Sequence, residues 1–129
     1  MAKAIMKFKR GDGVTHKFTL PIAQYVVGST LGFTAKPAAD NDATDAKAVI
    51  EKLFDDTNVD LVVDPLSATY NLPFTASDTS DIVFDADVTK MEYVGEFQYI
   101  SPGKEPKSFP GDNNYISVIV YSDIRVKVP

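Results

Sequence analysis

Asp40, Asp42, Thr44 and Glu51 stand at positions 1, 3, 5 and 12 of a D-x-D-x-T…E pattern, the spacing of a calcium loop. Hard cations want oxygen ligands, and a glutamate at the last position closes the cage with two oxygens. The pattern breaks at position 6, where the sharp turn needs glycine and this chain has Asp45. The segment before it also reads as a strand instead of a helix. An acidic turn whose aspartates bond their own backbone explains the same residues. His16 is the single histidine, in phase with Val14, Phe18 and Leu20, so it points inward or lines a sheet edge. One histidine in a chain without cysteine is poor material for zinc, and no G-x-S-x-G elbow offers it a nucleophile. Arg10-Gly11-Asp12 spells an adhesion tripeptide, yet these residues are also common in a turn between strands. The carboxylate pairs Asp55-Asp56 and Asp85/Asp87 could do acid–base work. Both lie in acid-rich segments where nothing raises one pKa selectively, and they are assigned to the surface. Tyr93, Phe97, Tyr99, Tyr115 and Tyr121 enrich the last third in aromatics. Core packing takes most of them, and the rest could form a contact patch for a partner or a sugar. No catalytic, cofactor-binding or metal residue is assigned, and no enzyme activity or cofactor is expected.

The elements that would position these residues have mostly period two. Ala4, Met6 and Phe8 alternate with lysines, then Gly11-Asp12-Gly13 turns the chain into Val14, His16, Phe18 and Leu20. These two strands are expected to form a hairpin or a bent pair. Pro21 ends the second, and Gln24 to Val27 could pair briefly before a turn at Gly28. Leu31, Phe33 and Ala35 give one face of a strand to the core, and Lys36-Pro37 ends it because proline has no N–H for a ladder. Val59 to Val63 is a further strand, stopped by Asp64-Pro65. Tyr70 to Phe74 contains Pro73 and is expected at an edge or in an irregular segment. Ile82 to Val88 and Met91 to Ile100 follow, the latter with Gly95 as a candidate bulge. Residues 102–114 read as a long loop, and Ile116 to Val128 as the closing strand. Residues 45–54 fit two patterns. Ala46, Val49, Ile50 and Leu53 suit a short helix capped by Thr44 or Asp45, while Ala48, Ile50 and Lys52 suit a strand. About seven to eight short strands with frequent turns argue for an all-β sandwich.

With 129 residues the chain is expected to form one domain, 1–129, able to bury a continuous core. Its 44% apolar and 24% charged content is that of a globular protein. The absence of cysteine excludes disulfide scaffolds, thiolate metal sites and thiol nucleophiles. Only Ala4-Ile5-Met6 is an uninterrupted apolar run near the start, short of a signal h-region. No apolar run approaches a membrane span, and no membrane partner is expected. Charge is uneven: residues 1–36 hold six Lys/Arg against one acid, and 37–88 hold twelve acids against Lys47 and Lys52. That division suits charged protein neighbours, or serves simply as solvated faces. With a net charge of −5 and no dense basic stripe, nucleic-acid binding is not expected.

Arg10-Gly11-Asp12, the strand and acidic loop from Leu31 to Val49, and Asp78-Thr79-Ser80 together resemble small tailed-phage structural proteins. Specifically, they resemble the immunoglobulin-like N-terminal domain of phage baseplate upper proteins. The resemblance spans most of the first 90 residues and implies an immunoglobulin-like β-sandwich. It further implies a virion component, assembled in the host cytoplasm by contact with other phage structural proteins, in repeated copies or as a homo-oligomer. It supplies no catalytic residues. The family often ends in a glycine-turn hairpin, where this chain has the Pro-rich 102–114. A tail or baseplate part is the expected function. The alternatives are a capsid decoration or head-surface protein, a carbohydrate- or receptor-binding module, and, more distantly, a small hydrolase.

Overall fold

Alternating burial organises nearly every element of the computed structural model, which describes residues 5–37, 48–55, 57–84, 88–110 and 115–122. Nine strands lie among them: β1 (Ile5–Lys9), β2 (Val14–Pro21), β3 (Thr30–Pro37), β4 (Ile50–Phe54), β5 (Asp60–Val63), β6 (Ser67–Phe74), β7 (Lys90–Ile100), β8 (Lys107–Phe109) and β9 (Ile116–Tyr121). Two 3-10 turns occupy Ile22–Gln24 and Ala76–Asp78.

One sheet has the order β1-β9-β7-β3-β4, with β8 also paired to β7, and the other has the order β2-β6-β5. The β1–β9 pair is parallel and every other pair is antiparallel. The sheets face each other across one core and make a β-sandwich. Its order, β2-β6-β5 against β9-β7-β3-β4, follows the strand order of immunoglobulin sandwiches. Aromatic rings cross that core in a chain: Phe8–Phe74 at 5.0 Å, Phe74–Phe33 at 5.5 Å, Phe33–Phe97 at 4.9 Å and Phe97–Phe18 at 4.9 Å between centroids. Offset and edge contacts at this spacing add to the burial of large apolar surfaces. Tyr70 and Tyr99 bring their hydroxyls into the same core, 3.2 Å apart, so neither polar tip is stranded.

Several expectations are corrected. β1 and β2 do not form a hairpin; the Arg10–Gly13 turn carries the chain from one sheet to the other. Gln24 to Val27 does not pair, since a 3-10 turn ends at Gln24 and irregular backbone follows. Pro73 lies in the central strand of its sheet, opposite Thr15. This is tolerated because β5 pairs only with residues 68–71 of β6, leaving that side open at Pro73. The Pro73 carbonyl points there and accepts from Lys52 Nζ at 3.0 Å, so the ring nitrogen faces the same open side. Residues 82–84 are irregular instead of extended in a sheet, and so is Val88; Asp85 to Asp87 fall outside the described residues.

Gly95 makes no bulge. It pairs in unbroken register with Ala35 on one side and Ile116 on the other. A Cβ there would sit 2.8 Å from Val118 Cγ2 and 3.2 Å from the Phe33 ring, so the glycine makes room for the core. The 102–114 segment is not all loop, because 107–109 form β8 against β7. Between helix and strand for 45–54, residues 50–54 are strand β4 and residues 45–47 lie outside the described residues.

Candidate functional site

The residues with chemical potential are distributed around the sandwich instead of converging. Glu51 points to solvent from β4, opposite Thr34; Asp40, Asp42 and Thr44 fall outside the described residues. Among the described residues no group of three or more His, Asp or Glu side chains could hold a metal ion. Asp55 accepts from the Thr57 hydroxyl and amide, bonds that hold its carboxyl below the usual range. Such a carboxylate is a turn anchor, and Asp56 falls outside the described residues. Of the aromatics, Tyr93, Phe97 and Tyr99 are buried, whereas Tyr121 is 37% exposed. Tyr93 therefore cannot serve as a surface contact.

His16 reaches from β2 to the outer edge of β1, where its Nε2 lies 3.1 Å from the Lys7 carbonyl oxygen. A carbonyl only accepts, so Nε2 carries the proton. The ring packs on Phe8 and Phe74 at centroid distances of 4.9 and 5.7 Å. Burial against these rings lowers its pKa, and the Lys7 carbonyl opposes that in smaller measure. The histidine joins the sheets at an edge strand.

At one end of the sandwich the Arg10-Gly11-Asp12 turn is locked to the loop after β6. Gly11, with φ of 81°, donates its amide to Thr79 Oγ1 at 2.9 Å, and Thr79 is only 1% exposed. Arg10 Nη1 donates to the Ile82 carbonyl at 3.1 Å, and its guanidinium lies 5.9 Å from the Phe84 ring centroid. An arginine held in this way is not presented to a receptor. Asp78 closes a capping box with Thr75 and takes Lys52 Nζ at 2.7 Å. Lys52 shares the inward face of β4 with Ile50 and Phe54, and its ammonium sits 5.7 Å from the centroids of both Phe54 and Phe74. It plugs the flank that the short β5 leaves open.

The opposite end gathers three connections: residues 22–29, the 64–66 turn, and the stretch after β7. Tyr99 ties the first of these to β7, its hydroxyl accepting from the Val26 amide at 3.1 Å and donating to the Val26 carbonyl at 3.3 Å. Ser29 Oγ donates its one proton to the Val26 carbonyl at 2.7 Å and lies 2.9 Å from Ser101 Oγ, from which it can accept, inside the same junction. Between the first and last connections lies a cleft of about 350 Å³, walled by Ala23, Gln24 and Val26 on one side and Lys104, Lys107 and Phe109 on the other. Sequence reasoning missed this site. The signal was the lysine-bearing, Pro- and Gly-rich stretch 102–107, but its partner wall lies some eighty residues earlier.

The chain matches no known family model, and no curated protein matches it either. No helix among the described residues is long and apolar enough to cross a membrane.

Proposed function

We propose that the protein is a structural component of a tailed-bacteriophage particle, set in the tail or baseplate and assembling by contact with other virion proteins. One observation carries this. Two of the segments that bear the resemblance, Arg10–Asp12 and Asp78–Ser80, meet in space through the Gly11–Thr79 bond. They form a structural lock, and the lock leaves the loop end available for contacts. The candidate chemical groups point the same way. Arg10, His16, Asp55 and Asp78 each bond the chain's own backbone or a neighbouring side chain. Side chains committed in this manner hold a scaffold together. An immunoglobulin-like sandwich supplies rigid edges and loops for repeated packing.

The test is fractionation of particles from a host that carries this gene, with peptide mass spectrometry of tails freed of heads and of tail-less capsids. The protein is expected in the tail fraction. Its recovery on tail-less capsids would make it a head-surface protein, and its absence from particles would overturn the virion role.

A further inference from the structure

Three of the large apolar side chains that project to solvent belong to the connections at the loop end. Leu66 is 82% exposed, Val27 75% and Ile22 37%. The Ile22 amide donates to the Leu66 carbonyl at 3.0 Å, so the β5–β6 turn abuts the segment that begins the cleft wall. Charge on this end is divided. Lys104 and Lys107 border the cleft with Glu105 between them, and no ion pair engages either lysine among the described residues. Asp64, in the neighbouring turn, accepts from the Leu66 and Ser67 amides at 2.8 Å each, which holds its carboxyl below the usual range and keeps it ionised.

We infer that this end is a contact face for a second copy of the chain, the Asp64–Leu66 turn of each copy seated against the Lys104–Lys107 cleft of the other. The inference rests on the assembly role above and names the partner for it. The division of charge argues for the occupant. A partner of one sign would attract one half of the face and be repelled by the other. A second copy turned about a two-fold axis presents the same halves in reverse, lysine to aspartate and aspartate to lysine. Such an isologous contact closes at two copies. It also covers Leu66, Val27 and Ile22 together.

Sedimentation of the purified chain across the micromolar range is expected to show a reversible monomer–dimer equilibrium that weakens with added salt. Leu66→Asp should abolish the dimer, and Lys104→Glu/Lys107→Glu should raise its Kd by at least about tenfold. These positions are on the surface, so a thermal midpoint unchanged at concentrations low enough for the native chain to be monomeric serves as the folding control. Because the chain contains no cysteine, a mixture of Leu66→Cys and Lys107→Cys proteins should cross-link with a short bismaleimide, one variant to the other. A monomer at every concentration overturns the proposal, as does a dimer indifferent to both surface variants. Growth beyond two copies overturns the two-fold arrangement. Saturable binding of a glycan or another virion protein to a chain that stays monomeric assigns the face to that occupant instead. The two levels fail separately. A monomer found in tail fractions sinks only the contact face, and a dimer absent from particles sinks only the virion role.

Discussion

His16 does by packing what a histidine in a catalytic site does by titration: it depends on which proton state the surroundings favour. Packing against Phe8 and Phe74 disfavours the charged ring, so the folded pKa lies below the unfolded value of 6.5. Between those two values the unfolded chain binds more protons than the folded one, and stability rises with pH. The contribution is therefore complete above pH 6.5 and is lost as pH falls through the depressed folded value. Urea midpoints at a series of pH values should decline below 6.5 in the native chain, and His16→Phe should flatten that part of the decline. An identical slope in both proteins would remove His16 from the account. The residue's inward phase with Phe18 and Leu20 was legible from alternation alone. Its bond to Lys7 was not, because the two strands lie in different sheets. Lys52 shows the same limit: a lysine on the inward face reads as an error in the pattern until Asp78 and the Phe54 and Phe74 rings are placed around it.

At the scale of the element, period two was legible where both faces of a strand have settled surroundings, as at Leu31–Ala35 and Ile116–Val120. It failed where an element's role is decided by its neighbours. Pro73 predicts an edge by itself, but β5 stops before reaching it, so a central strand can hold a proline there. Gly11 and Gly13 predict a hairpin by composition, but the turn they form crosses between sheets. Gly95 resembles a bulge by type, whereas its reason is the Val118 and Phe33 side chains packed over it. Gly95→Ala is expected to destabilise the protein by about 1–3 kcal/mol, the usual cost of forcing an extra carbon into a filled core. Equilibrium denaturation measures it. A loss near zero would mean that Val118 or Phe33 repacks freely. The cleft at the loop end was least legible of all, because its two walls come from connections that only the finished sandwich brings together.

Across the whole molecule the two ends differ in kind, one locked by Arg10, Thr79 and Asp78, the other carrying an open cleft and divided charge. Between them runs the one parallel pair among the described residues, β1 beside β9, in register from Ile5–Ser117 to Lys9–Tyr121. Ile5 and Tyr121 sit at opposite ends of that ladder. Tension drawn through those two residues would slide one strand along the other and load all its hydrogen bonds at once, whereas tension through Ile5 and Ser117 would peel them in turn. Forced unfolding between cysteines placed at Ile5 and Tyr121 should need clearly more force than between Ile5 and Ser117, and equal forces would refute the claim. A ladder joined in this way would make the sandwich stiff to tension along its strands and weak to tension across them.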